Sequence, residues 1–281
     1  MELTLVQSDD WHLHLRDGEL LQAVVPHSAN HFGGAIVMPN LKSPVTTTAA
    51  AIRQVLMRSS LQARSSKVVF AIKLYPAGAI TNSQEGVTDL LGKCSLVLEQ
   101  MVQYNMPLLV HGEVTDPNHI TTMDAVRFVE SCEEGFVAAT VTPRHLLLNR
   151  NVLFQGRLQP HNRCLPVPKE KSTAIVSAVT SGSKRFFLGT DGAPHERRRK
   201  ECPCGCAGIY NAPAALALYA KVFEEAGALD KLEAFTSLNG PDFYGLPRNT
   251  SKIKLIKTSW KVPESFSFSF GDIIPMLQVK H

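Results

Sequence analysis

No stretch of this sequence approaches the roughly 20 consecutive apolar residues that a membrane-spanning helix needs, so no membrane association is expected. The first ten residues carry neither the apolar core of a signal peptide nor the Arg- and Ser-rich amphipathic look of a transit peptide. Cysteine is sparse: six in 281 residues make no secreted disulfide framework, and a reducing, intracellular setting is the default expectation. Charge of one sign is lacking too. A formal net charge of +4 is too slight to call for nucleic acid, and the one basic run, Glu196 to Lys200, reads as a solvated loop or helix face. Internal repeats and low-complexity segments are absent. What remains is an ordinary globular composition, 44% hydrophobic and 19% charged, long enough for one α/β barrel or two smaller domains.

The most informative stretch is Asp10 to Gly18, DWHLHLRDG. On a strand, side chains alternate faces, so His12 and His14 point one way and Leu13 and Leu15 the other. Two imidazoles on one face are a ready pair of metal ligands, and Arg16, next on that face, can hold a substrate anion. The bland alternative is a pair of half-exposed histidines, since H-x-H alone is a short motif.

Further along, Gly33 to Asn40 and Lys67 to Tyr75 read as buried strands, with an Ala-rich helix between them from Thr46 to Arg64. Lys73 interrupts the second run. Either it snorkels at a strand end, or it is neutral and adds carbon dioxide to become a carbamate, an anionic ligand able to bridge two metals. Helical spacing covers Thr88 to Asn105, and strand Leu108 to Val110 ends at His111. A helix is expected at Met123 to Cys132, and strands at Gly135 to Thr142 and Lys184 to Leu188. The last of these runs into GTDGAPH, with Asp191 at the strand end and His195 four residues on. Ala212 to Ala226 and Ala228 to Phe235 read as helices, and the tail from Lys252 as a short terminal extension. Polar residues thus recur at strand ends, which is the pattern of a (β/α)8 TIM barrel with its chemistry at one mouth. Several His with a buried Lys and a late Asp point to a binuclear metal site of the hydrolase type.

The segments DDWHLHLRDG, AIVMPNL, KLYPAGAITNS, PLLVHGEVT, HITT, LGTDGAPH, CGCAG and NGPDFYGLP, in this order, closely resemble the dihydroorotase family, in its shorter, single-function type, within the amidohydrolase superfamily. The resemblance runs from Asp9 to about Pro275 and is nearest to the plant branch, whose members are organellar, so a mitochondrial or plastid setting is implied. It implies one domain over residues 1–281 and a zinc-dependent, reversible cyclisation of N-carbamoyl-L-aspartate to (S)-dihydroorotate in pyrimidine biosynthesis. By the same resemblance His12, His14 and Asp191 bind one zinc, His111 and His119 bind a second, and carboxylated Lys73 bridges them. Asp191 is the catalytic proton carrier. Arg16, Asn40, Thr81, Leu165, His195 and Ala207 contact the substrate. Family members are commonly dimers, which extends to an expectation of a homodimer.

The departures from the family pattern are as informative. His111 and His119 stand eight apart, where the family places a helix and most of a strand between them. A parallel crossover needs a dozen or more residues. Likewise, Asn40 to Lys73 is short by a strand, which leaves about six strands and an incomplete barrel. Of two adjacent threonines in the family's substrate loop, this chain has Ile80 and Thr81. Cys202, Cys204 and Cys206 form C-x-C-x-C, either a loop of ordinary thiols or a soft-metal site. Two functional readings therefore stand: a zinc amidohydrolase, or a shortened relic that keeps the ligands in sequence without assembling them. A hydrolase of another cyclic amide, such as hydantoin, is disfavoured by the carboxylate-binding set Arg16, Asn40 and His195.

Overall fold

The computed structural model describes residues 1–16, 18–38, 71–75, 77, 86–111, 123–148, 161, 169–203 and 205–277. They fall into two compact units, Met1–Met38 with Ile120–His281, and Pro39–His119. The first unit opens with strands β1 (Glu2–Val6) and β2 (Asp10–Leu13), helix α1 (Gly18–Ala29) and strand β3 (Ala35–Val37). The second holds β4 (Ile72–Leu74), α2 (Leu90–Gln103) and β5 (Leu108–Val110). The first then resumes with α3 (Met123–Ser131), β6 (Ala139–Val141), α4 (Pro143–Leu147), α5 (Lys169–Thr180), β7 (Phe186–Leu188), α6 (Arg197–Glu201), α7 (Ala215–Glu225) and α8 (Asn239–Tyr244). It closes with β8 (Lys252–Ile256), β9 (Phe266–Phe268) and β10 (Gly271–Ile273).

Within the first unit, β2 pairs in parallel with β3, and β6 with β7. Parallel neighbours need a crossover, and α1 supplies the first. The two pairs meet through the segment after β7. Asp191 N–H donates to His12 O at 2.6 Å, and Gly192 forms parallel bridges to both Leu13 and Ile209. Gly189 lies where these strands crowd together: a Cβ there would sit 2.7 Å from the Cβ atoms of both His12 and Thr140. Only glycine allows that approach. Among the described residues the strands form two-stranded sheets and no closed barrel.

The main core lies behind these strand ends. Phe186 and Leu188 of β7, Ile175 and Val179 of α5, and Tyr219, Val222 and Phe223 of α7 pack with Phe235. The β7 residues are buried on both faces, as the continuous apolar run predicts for a parallel strand. The helix expected from Ala212 begins as a 3-10 turn, Ala212–Ala214, which the side chain of Asn211 does not cap. Its amide donates instead to Thr190 O at 2.9 Å.

Two expectations are corrected. The tail after Lys252 is no loose extension: KIKLI forms β8, antiparallel to β1, with Glu2 opposite Ile256 and Val6 opposite Lys252. Both strands alternate, and Leu3, Leu5, Ile253 and Leu255 cover the core. The basic run after Glu196 is helical, as one of its two readings held, but Lys200 is buried and donates to Gly208 O.

In the second unit, α2 joins the parallel pair β4 and β5 as a βαβ crossover. Asp89 caps α2 by accepting from Gly92 N–H at 2.9 Å. Val97 and Met101 pack with Ile72 and Leu108 beneath the strands.

The fully buried Tyr219 hydroxyl ties strand ends together, lying 2.7 Å from Val141 O and 3.2 Å from Gly189 O. Tyr219→Phe would leave both carbonyls without it. We expect a stability loss of about 1–2 kcal/mol, read as a lower midpoint in urea unfolding; an unchanged midpoint would deny the hydroxyl this role.

Candidate metal centre

The centre is built from the end of β2 and the turn after β7. Strand alternation brings His12 and His14 to one side, with ring centroids 5.5 Å apart. Asp191 meets them. Its Oδ1 lies 3.3 Å from His12 Nε2 and 3.1 Å from His14 Nε2. Asp191 adopts a left-handed backbone at φ 45°, uncommon for a residue other than glycine and here part of the turn that aims the carboxylate.

Asp10 holds the two segments together. Buried entirely, it accepts Oδ1 bonds from the backbone N–H groups of His12 (3.1 Å) and Thr190 (2.9 Å), while Thr190 Oγ1 donates to its Oδ2 at 2.6 Å. Burial pushes the Asp10 carboxyl up to about 7, against the lowering effect of those three hydrogen bonds.

A fourth group faces Asp191. Arg144, on α4, places Nη2 2.7 Å from Asp191 Oδ2, and its side chain is 5% exposed. Burial raises the Asp191 carboxyl, but the Arg144 guanidinium, helped by His12 and His14, outweighs it and holds the group well below the usual carboxylate range.

One donor atom from each of His12, His14 and Asp191 lies within 4.8 Å of the others, the one such metal-holding group found among the described residues. Two imidazole nitrogens and a carboxylate oxygen suit zinc, which takes three protein ligands in open sites. His12 also behaves as a ligand should: its Nδ1 pairs with Thr140 Oγ1 at 3.1 Å, leaving Nε2 facing inward.

Arg16, two residues beyond His14, pairs with His195, four beyond Asp191. Arg16 Nε donates to Pro194 O at 2.9 Å, and its Nη2 to His195 Nε2 at 3.0 Å. Because arginine only donates, His195 Nε2 is the acceptor and Nδ1 carries the proton, directed to the backbone of Ala207. Burial, then Arg16 and Lys200, push the His195 imidazole down to about 3, so it is neutral.

Residues 50–264 match the Amidohydrolase family. A mitochondrial dihydroorotase of Arabidopsis thaliana is 63% identical over 333 residues, spanning 98% of this chain and 88% of that protein. A dihydroorotase of Nitrosomonas europaea is 46% identical over 339 residues, spanning all of this chain and 97% of that one. The chain belongs to the dihydroorotase family. A crystal structure of the dihydroorotase of Saccharomyces cerevisiae, in complex with 5-fluoroorotic acid, superposes with a TM-score of 0.81 at 28% identity over 99% of this chain and 96% of that one. The fold is accordingly of the amidohydrolase, TIM-barrel type, and the family's enzymes are hydrolases of a cyclic amide.

In this dihydroorotase-family chain the structure joins His12, His14 and Asp191, and joins Arg16, His195 and Ala207. Lys73 and His111 belong to the second unit. Lys73 is in register with Leu109, so Lys73, Tyr75 and His111 share one face of the β4–β5 pair. The Lys73 ammonium lies 5.6 Å from the Tyr75 ring centroid, and the Tyr75 and His111 rings are 5.9 Å apart. His119, Asn40, Thr81, Leu165 and Cys204 lie outside the described residues, as does the helix expected from Thr46 to Arg64. Cys202 and Cys206 are free thiols. Sequence reasoning missed Asp10, Thr140, Thr190 and Arg144. No helix of the described residues is long and apolar enough to cross a membrane.

The depressed His195 fixes a pH dependence. An unfolded histidine near 6.5 takes up a proton that folded His195 refuses until about pH 3, so the unfolded state binds more protons and stability falls with acidification from 6.5. Asp10, raised to about 7, works in the opposite direction over the same range, so the test is comparative: between pH 7 and 5 the urea midpoint of His195→Asn should shift toward greater stability relative to that of the unaltered chain. An identical pH dependence in the variant would show that His195 does not contribute.

Proposed function

We propose that this chain catalyses the reversible interconversion of N-carbamoyl-L-aspartate and (S)-dihydroorotate, with zinc held by His12, His14 and Asp191. The observation that carries the reading is the convergence of these three donors beside the Arg16–His195 pair. When bound, zinc lowers the pKa of water toward about 7 and polarises the amide carbonyl. Water adds to the ring carbonyl carbon and the ring C–N bond breaks. Asp191 accepts the proton lost by water and returns it to the departing amide nitrogen. Arg16 supplies the positive charge for the substrate carboxylate, and His195 and Ala207 fix its orientation.

The rest of the ligand set rests on the resemblance. Lys73 as its carbamate, with His111 and His119, is proposed to bind a second zinc, and Asn40, Thr81 and Leu165 to contact the substrate. A single barrel domain, a homodimer and an organellar location, as the name of the Arabidopsis relative states for that protein, belong to the same proposal.

One observation favours a second reading. The Arabidopsis match extends over 333 residues, longer than this chain's 281, so at least 52 positions there have no counterpart here. On that reading the barrel is incomplete, at about six strands, and the chain is a relic with little turnover.

Zinc analysis combined with a dihydroorotate hydrolysis assay on the purified chain separates the two. Two zinc ions per chain with turnover supports the enzyme, and Lys73→Ala should then lose metal and activity together. At most one loosely held zinc and no hydrolysis would leave the relic.

A further inference from the structure

The Asp191 carboxylate is divided between two partners of opposite consequence. Oδ1 faces the two imidazoles, while Oδ2 is held by Arg144 at 2.7 Å. Arg144 reaches this place because β6 ends at Val141, Thr142 caps α4 by accepting from His145 N–H, and Pro143 opens the helix. Its backbone is thereby fixed one residue into a capped turn. A guanidinium cannot shed its proton in a protein, so its charge is permanent.

The charge count follows. With neutral imidazoles, His12, His14 and Asp191 offer a divalent ion one negative charge, and Arg144 cancels it at close range. All four side chains are at most 12% exposed, so water screens this poorly. The same contact engages Oδ2, which leaves Oδ1 as the ligating oxygen and the second lone pair of Oδ2 as the place for the proton that Asp191 carries.

We propose that Arg144 is a positioning residue that restricts Asp191 to single-oxygen ligation and weakens divalent-metal binding at the His12–His14–Asp191 centre. It makes the metal of this chain exchangeable where the three ligands alone would hold it tightly. The inference rests on the reading of that centre as a metal site.

The test measures metal affinity on chelator-stripped full-length protein, by competition of Zn2+ against a chromophoric chelator, and the visible absorption of bound Co2+. Arg144→Gln should tighten Zn2+ binding by on the order of tenfold, since a full charge near a divalent ion is removed. Its Co2+ spectrum should change as the second carboxylate oxygen becomes available. Arg144→Lys, which retains the charge, should stay within about threefold of the unaltered chain. A merely structural role predicts the opposite sign, because a loosened Asp191 binds metal less well. Equal or weaker binding by Arg144→Gln overturns the proposal, and so does loss of its fold by circular dichroism. Failure of the unaltered chain to bind Zn2+, or equal binding by His12→Ala, instead overturns the metal-site reading itself.

Discussion

Everything at the centre hangs on one buried carboxylate. Asp10 has no exposed surface, and taking an ionised carboxylate out of water costs several kcal/mol unless hydrogen bonds replace the lost hydration. Three such bonds offset part of that cost, from His12 N–H, Thr190 N–H and Thr190 Oγ1, and burial still leaves the carboxyl raised to about 7. Two of the three come from Thr190, immediately before Asp191, and the third from His12. The network continues outward: Gly192 N–H donates to Thr190 Oγ1, and Asn211 donates to Thr190 O. Two segments separated by some 180 residues in sequence are therefore locked in register. The distance between the imidazoles and Asp191 follows from that lock together with the direct contacts, Asp191 N–H to His12 O and Asp191 Oδ1 to both imidazoles.

The pairing of His12 with His14 was legible in the sequence because strand periodicity is local. His12 and His14 share a side whatever the remainder of the chain does, and Asp191 follows an unbroken apolar run that marks a buried strand end. Arg144 was not legible. Its neighbourhood, Thr142-Pro143-Arg144-His145, reads only as a helix start, and the partner carboxylate is 47 residues away. Asp10 was hidden for the same reason: beside Asp9 it reads as a polar lead-in, and only the fold brings Thr190 to it. The β1–β8 sheet shows the same limit at the level of elements. Each strand alternates clearly, yet nothing local pairs Val6 with Lys252. Strand edges were overcalled, since Gly135 to Thr142 contracts to Ala139–Val141 where the chain leaves its neighbour β7.

The second unit carries its own logic. A 14-residue helix between β4 and β5 satisfies the length that a parallel crossover demands, and the register puts Lys73 and His111 on one face. Lys73 therefore stands on a short strand beside aromatic rings. The Tyr75 ring near the ammonium offers a π face that would hold a cation in place, which suits the charged form of the lysine. A carbamate at the same nitrogen reverses the charge and forfeits that attraction. The two chemical forms of Lys73 thus prefer different surroundings, and gain of a metal ion is what would favour the anionic one.

Charge placement separates binding from chemistry in the first unit. Arg144 faces the Asp191 carboxylate, and Arg16 faces His195, outside the group of three that could hold a metal. Were His195 protonated, two positive groups would stand 3.0 Å apart in a mostly buried site, and the Arg16 N–H would lose its acceptor. Neutral His195 is therefore the condition under which Arg16 keeps a fixed orientation. A planar fork fixed in this way binds a carboxylate with less ordering left to do on association. The same economy applies to Asp191, whose orientation is already set by Asp10 through Thr190. Arg16 and Asp191 are each held by neighbours already in place, Arg16 by His195 and Pro194 O, and Asp191 by Arg144 and by the Asp10–Thr190 network, so the geometry of the centre resides in those neighbours as much as in the two groups themselves.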